Sequence, residues 1–232
     1  MQAIILAGGL GTRLKSVIND VAKPMADING RPFLQYMFDY LGPQGVKDVV
    51  LCVGYKSESI TNHFGSEYEG INIAYSLEQQ PLGTGGAVRQ AMTLVAPDTS
   101  DVLVMNGDTF FDVDLDSMAD FHQDKDADVT IALKWMEKFE RYGMVDIEAD
   151  SRIVGFREKE YQEEGYINGG IYVIDHNFFR SQELPDKFSL EKDFHEVRYK
   201  DSDYYGYPTD EYFIDIGVPE DYAKAKKDFE TY

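Results

Sequence analysis

Four charged residues of the 232-residue chain stand in settings suited to phosphate chemistry: Arg13, Lys23, Asp108 and Asp215. Arg13 ends the glycine-rich stretch Leu6-Ala7-Gly8-Gly9-Leu10-Gly11-Thr12-Arg13-Leu14, and Lys23-Pro24-Met25 follows ten residues later. Glycines after a strand let backbone N–H groups approach a phosphate or a base with no Cβ in the way. The same glycines could also serve a tight strand-to-loop turn that holds no ligand. Two familiar phosphate loops are excluded. A dinucleotide fingerprint needs G-x-G-x-x-G/A, and Leu14 occupies its last position; a P-loop needs a closing Lys-Ser or Lys-Thr, which is absent. Asp108 follows an apolar run and Asn106-Gly107, which puts its carboxylate at the carboxyl edge of a strand, either as a ligand or as a turn-forming or capping residue. Asp215 lies in Phe213-Ile214-Asp215-Ile216-Gly217, where a carboxylate is costly unless ion-paired or bound to a cation. Two carboxylates completed by phosphate and water oxygens would suit a hard, octahedral Mg²⁺ ion.

These residues need elements to position them, and the hydrophobic pattern supplies candidates. Residues 2–7 and 48–53 are short apolar runs of the kind that form strands buried on both faces, 71–76 reads as a strand, and 101–106 as a fourth, apolar one. Between them, Pro32 opens a helical segment carrying Phe33, Leu34, Met37, Phe38 and Leu41, and helices are expected near 57–64 and 84–95. This alternation predicts an α/β fold with a Rossmann-like, doubly wound, mostly parallel sheet, whose ligands bind at the carboxyl ends of the strands. The loops after residues 7 and 105 are therefore the expected site. Strands at 129–134, 144–147, 153–157 and 167–174, several of them adjacent in sequence, predict a partly antiparallel second half, with helices near 190–198 and 219–229. Without a linker or internal repeat, residues 1–232 are expected to form one domain with two halves, 1–110 and 111–232. No hexapeptide repeat suggests a C-terminal β-helix.

The bulk properties narrow the partners. A net charge of −20 argues against nucleic acid, so anionic substrates would have to be held by a few local cations. No run of about 18 apolar residues predicts a membrane span. Met1 to Ala7 lacks the basic leader of a secretory signal. The single Cys52, inside an apolar strand, excludes an internal disulfide and fits a reducing, cytoplasmic setting. None of His63, His122, His176 and His195 falls in a motif, and Ser/His/Asp or Cys/His nucleophile arrangements are absent.

The glycine loop ending in Arg13, with Ala22-Lys23-Pro24-Met25 after it, resembles the opening signature of the nucleotidyltransferases that make NDP-sugars, L-A-G-G-x-G-T-R-L followed by P-K-P-[ML]. Ala22 replaces the usual proline, and Lys15-Ser16-Val17 departs from the common continuation after Arg13-Leu14. Further segments match in the family's order: Gln80-Pro81-Leu82-Gly83-Thr84-Gly85-Gly86-Ala87, Asn106-Gly107-Asp108, Arg141-Tyr142-Gly143, Phe156-Arg157-Glu158-Lys159, Ile167-Asn168-Gly169-Gly170-Ile171-Tyr172, and Phe213 to Tyr222. Within the family the overall likeness is to bacterial D-glycero-α-D-manno-heptose 1-phosphate guanylyltransferases.

The resemblance implies a glycosyltransferase-A-like nucleotidyltransferase fold and a direct reaction: a sugar 1-phosphate oxygen attacks the α-phosphorus of a nucleoside triphosphate and pyrophosphate leaves. It assigns Leu6, Ala7, Gly8, Gly9, Gly11, Thr12, Arg13, Gln79, Gln80, Gly83, Thr84, Gly85 and Asp108 to the nucleotide. Asn106, Tyr142, Gly143, Glu158, Lys159, Asn168 and Gly169 go to the sugar phosphate, which makes 1–110 the nucleotide-binding half and 111–232 the sugar-phosphate-binding half. Arg13, Lys23 and Asp108 form the catalytic group, and Asp108 and Asp215 hold Mg²⁺. GTP with a heptose 1-phosphate are the expected substrates, with thymidylyl- and uridylyltransferases and a non-catalytic regulatory relative as alternatives; a family habit of self-association implies a homo-oligomer.

Overall fold

The computed structural model describes residues 1–9 and 21–230. After β1 (Gln2–Leu6), a hairpin of β2 (Asp27–Ile28) and β3 (Arg31–Pro32) leads into α1 (Phe33–Leu41). There follow β4 (Asp48–Val53), α2 (Ser57–Phe64), β5 (Glu67–Tyr68), β6 (Ile71–Leu77), α3 (Gly83–Ala91) and β7 (Asp101–Asn106). β6, β4, β1 and β7 lie side by side in that order, all parallel. The chain steps outward from β1 through β4 to β6, then returns to the other side of β1 for β7. That reversal opens a crevice at the carboxyl ends of β1 and β7. Side chains alternate along each strand: Ala3 and Ile5 pack with α1 and α2 on one face, and Ile4 packs with α3 on the other. Burial on both faces is why β1, β4 and β7 read as continuous apolar runs, whereas β6, at the outer side, alternates buried and exposed positions.

The remaining elements are β8 (Thr109–Phe111), α4 (Leu115–Asp124), β9 (Val129–Phe139), β10 (Met144–Ile147), β11 (Ile153–Arg157), β12 (Gln162–Asp175), α5 (His176–Ser181), α6 (Glu196–Arg198), β13 (Tyr204–Thr209), β14 (Phe213–Asp215) and α7 (Pro219–Asp228). β12 pairs antiparallel with β7, so one sheet runs unbroken from the parallel half into the antiparallel one. β9 lies antiparallel to β12, and β13 adds to β9 in parallel. β10 joins β12, and β11 joins β10.

Several elements differ from the pattern-based expectation. β9 and β12 extend beyond 129–134 and 167–174, because their outer portions pair with each other as a two-stranded arm, from Gln162↔Phe139 to Ile167↔Lys134. α4 is amphipathic but thin on apolar residues, burying only Leu115, Met118 and His122; an N-cap starts it, with the Asp114 carboxylate accepting from Ser117 N–H at 2.9 Å. β13 contains Gly206 and Pro208, which argue against a central strand but are tolerated in one whose only continuous pairing is with β9, its other side making a single bridge between Arg152 and Tyr205. The helix expected at 84–95 changes to a 3₁₀ turn at Met92–Leu94, and the one near 190–198 opens as a π-helical turn, Leu190–His195. No helix among the described residues is long and apolar enough to cross a membrane.

Candidate active site

Asp108 and Asp215 are separated by over a hundred residues, and two three-residue strands bring them together. β8 and β14 pair antiparallel with Asp215 opposite Thr109, and Ile216 N–H donates to the Asp108 carbonyl at 2.9 Å. Between the two carboxylates sits Lys23, on a 3₁₀ turn anchored by buried Pro24 and Met25. Its Nζ lies 2.5 Å from Asp108 Oδ2 and 3.9 Å from Asp215 Oδ1. Burial, followed by the nearby Asp108 charge, pushes the Asp215 carboxyl above the usual carboxylate range; Lys23 and the Gly217 N–H, 2.7 Å from Asp215 Oδ1, pull the other way. Gly107 permits the corner. Its N–H donates to the Leu6 carbonyl at 3.0 Å, and a Cβ there would lie 2.6 Å from that oxygen. The ends of β1 and β7 are thus locked together at the crevice.

A cavity of about 920 Å³ opens from this corner. Of the expected nucleotide residues, Leu6, Gly8, Gly9, Gln79, Gln80, Gly83, Thr84 and Asp108 line it. So do all those expected for the sugar phosphate: Asn106, Tyr142, Gly143, Glu158, Lys159, Asn168 and Gly169. Asp215 also lines it, and Lys23 reaches it through Asp108. Gly11, Thr12 and Arg13 lie outside the described residues. A bulge in β12 shapes the sugar side: the register shifts between Asn168 and Tyr172, where Asn168 Oδ1 accepts from Gly170 N–H at 2.9 Å and Gly170 has φ +74°. None of the four histidines lines the cavity. His195 is fully buried against Tyr172, and burial lowers its imidazole to about 3, which marks it as a packing residue.

Two expected nucleotide residues do not line the cavity. Ala7 is buried, and its N–H donates to the Cys52 carbonyl. Gly85 serves a strap, residues 184–189, that crosses the start of α3: Gly85 N–H donates to the Phe188 carbonyl at 3.0 Å, and a Cβ would strike the Phe188 ring at 2.1 Å. Gly86 faces the same strap, where a Cβ would meet the Asp186 carbonyl oxygen at 2.4 Å. These two glycines admit another part of the chain. Gly86→Ala should therefore lower stability by about 1–3 kcal/mol, a few degrees in Tm, although Gly→Ala inside a helix ordinarily gains up to about 1 kcal/mol. A thermal unfolding curve decides, and a raised Tm would show that the strap is not seated there.

The motif reading also missed cavity residues. Glu78 follows β6 and faces Gly8: its Oε2 accepts from Leu82 N–H at 3.1 Å, and a Cβ on Gly8 would lie 2.4 Å from its Oε1. Burial raises its carboxyl above the ordinary range. An acidic residue directly after a strand, next to Gln79-Gln80, was a usable signal. Glu191, Lys192 and Glu196 also line the cavity, carried by the π-helical turn and α6. No motif announced them.

Residues 2–231 match the Nucleotidyl transferase family. The chain belongs to this family. Two relatives named D-glycero-α-D-manno-heptose 1-phosphate guanylyltransferase match it over nearly their whole lengths. The one from Aneurinibacillus thermoaerophilus is 50% identical, covering 100% of both chains. The one from Campylobacter jejuni subsp. jejuni serotype O:2 is 47% identical over 96% of this chain and 97% of its own. HddC from Yersinia pseudotuberculosis, also solved in complex with GMP-PN, superposes with a TM-score of 0.88 at 37% identity, covering 99% of each chain.

A nucleotidyl transferase must bring anions together, and this cavity is acidic. Glu78, Asp108, Glu158, Glu191, Glu196 and Asp215 line it, against Arg157, Lys159 and Lys192 among the described residues. Arg157 is engaged by Asp146 through two hydrogen bonds of 2.7 Å. Repulsion between two unit charges about 4 Å apart is roughly 4 kcal/mol at an effective dielectric near 20. Further positive charge is required, and the donor set fits a divalent cation. Asp108 and Asp215 share one lysine at the centre, and no group of three or more His, Cys, Asp or Glu among the described residues could hold a metal by itself. Phosphate and water oxygens would complete the shell, as is usual for Mg²⁺.

Proposed function

We propose that this nucleotidyl transferase moves guanylyl from GTP to D-glycero-α-D-manno-heptose 1-phosphate, forming GDP-heptose and pyrophosphate, with Mg²⁺ as cofactor. The observation that carries the choice of GTP is Glu78. Guanine presents two adjacent donors, N1–H and the 2-amino group, which a single carboxylate accepts together. Thymine and uracil present one donor between two carbonyls, which a carboxylate would repel. Glu78 lines the cavity beside Gly8, with Oε2 accepting from Leu82 N–H, and it is the carboxylate assigned here to those two donors. The choice of heptose is supported by the two full-length relatives that bear that activity in their names.

In this reading Arg13 holds the triphosphate, and Gly8 and Gly9 offer backbone N–H groups to it. Lys159 takes the phosphate of the sugar, while Glu158 and Asn168 hold its hydroxyls. Mg²⁺ held by Asp108 and Asp215 would neutralise phosphate charge and orient the α-phosphoryl group. The attacking phosphate oxygen is ionised near neutral pH, so no general base is needed, and a direct in-line displacement suffices.

The test is pyrophosphate release across GTP, dTTP, UTP, CTP and ATP against glucose, mannose and manno-heptose 1-phosphates. Selective use of GTP with the heptose phosphate is expected; turnover of dTTP or UTP with a hexose phosphate would sink both substrate assignments. Glu78→Gln should lower kcat/KM for GTP about 10- to 100-fold, the scale of losing a charge-assisted contact, and should narrow the GTP-over-dTTP preference. An unchanged preference would remove Glu78 from base recognition.

A further inference from the structure

The strap and π-helical turn form a cavity wall that no motif assigns. The strap is clasped to α3: Phe188 N–H donates to the Leu82 carbonyl, and Arg89 reaches the carbonyls of Leu184 and Pro185 and the Asp186 carboxylate. It delivers the chain into the π-helical turn Leu190–His195, a form rare in proteins and frequent at functional sites. The turn places Glu191 and Lys192 on the cavity. Glu191 Oε2 accepts from the Thr84 hydroxyl at 2.8 Å and from Ser189 at 2.9 Å, and Leu190 N–H donates to the Thr84 hydroxyl at 2.8 Å. Among the described residues Glu191 Oε1 has no hydrogen-bond partner. Across the cavity, Lys192 Nζ lies 3.2 Å from Glu158 Oε1, an exposed pair joining the turn to the end of β11.

We infer that Glu191 and Lys192 recognise the exocyclic hydroxyls of the sugar and so set the preference for a seven-carbon over a six-carbon sugar 1-phosphate. The inference rests on the heptose reading above. A heptose differs from its hexose counterpart by one more hydroxyl-bearing carbon on the exocyclic arm at C5, which in the pyranose ring is joined to the phosphate-bearing carbon through the ring oxygen. Reading such a diol takes a carboxylate that accepts and an ammonium that donates, both held in place. Glu191 is fixed by two hydroxyls with one oxygen left over. Lys192 is a cation whose partner, Glu158, is a residue assigned to sugar hydroxyls, so sugar entry frees the ammonium to donate. Neither makes a hydrogen bond to Lys23, Asp108 or Asp215 among the described residues, which places them outside the network of the reacting centre.

The experiment is steady-state kinetics with GTP and either manno-heptose 1-phosphate or mannose 1-phosphate. Lys192→Met should lower the heptose-over-mannose ratio of kcat/KM by about tenfold or more, through KM for the sugar, with KM for GTP within about twofold. Lys192→Arg should restore much of the ratio, and Glu191→Gln, which keeps an acceptor for Thr84 and Ser189, should lower it in the same direction. Equal losses on both sugars would overturn the inference and make the wall a general scaffold; an unchanged ratio would overturn it outright. The wild-type ratio is read first. If wild-type protein shows no preference for heptose, the proposed substrate fails and this inference falls with it; if wild type prefers heptose and the variants do too, only the inference falls.

Discussion

Lys23→Met should lower kcat about 10²- to 10³-fold without raising the Mg²⁺ concentration needed for half-maximal activity. The two halves of this expectation have different causes. Lys23 Nζ is held by Asp108 at 2.5 Å and faces Asp215 at 3.9 Å, and among the described residues it is the cation common to both carboxylates. When phosphates enter, the same ammonium is, among the described residues, the nearest positive group at the corner able to meet charge growing on the α-phosphoryl oxygens. Losing one such preorganised group typically costs two to three orders of magnitude, or about 3–4 kcal/mol of transition-state stabilisation. Yet Lys23 also competes with any metal for Asp108, so removing it leaves the carboxylates more available to the ion. A purely structural lysine would behave otherwise: its loss would let the carboxylates drift apart, and both kcat and metal affinity would weaken. Activity titrated against Mg²⁺ in the variant separates the two roles, and a strongly raised metal requirement would assign Lys23 to scaffolding.

The sequence carried the parallel half of the fold well for a physical reason. β1, β4 and β7 are buried on both faces, so their composition alone marks them, and the turn residues Gly8 and Gly107 stand where strand ends must bend or touch. Legibility fails where stability comes from partners distant in the chain. β13 holds its place through β9 despite Gly206 and Pro208, and the outer portions of β9 and β12 are strands because each supplies the other's hydrogen bonds. The candidate site divides in the same way. The site residues within compact motifs mostly reach the cavity, but a glycine that admits a ligand and one that admits another chain segment look alike in sequence. Gly85 belongs to the second kind because Phe188, a hundred residues later, packs on it. Glu191 and Lys192 were invisible for the converse reason: ordinary surface residue types acquire a role only because the strap folds them onto α3.

Asp215→Asn should abolish most activity, by about a hundredfold or more, while leaving the fold equally stable or slightly more stable. The carboxylate is largely enclosed and is pushed upward by burial and by Asp108, so its charge is held against a desolvation cost and a like charge. Asparagine is nearly isosteric, and its carbonyl can still accept the Gly217 N–H that now donates to Oδ1 at 2.7 Å. What the amide lacks is the negative charge, which opposes folding at this position but attracts a cation. The variant should therefore need several-fold more Mg²⁺ for half-maximal turnover while its thermal midpoint stays level or rises, a loss of function without loss of structure of the kind expected where a protein keeps a strained charge for chemistry. Asp108→Asn should share the metal defect but not the gain in stability, because it gives up the short contact to Lys23. A normal Mg²⁺ titration in Asp215→Asn would remove Asp215 from the metal site. A lowered midpoint together with a normal titration would instead make it the structural ion-pair partner of Lys23.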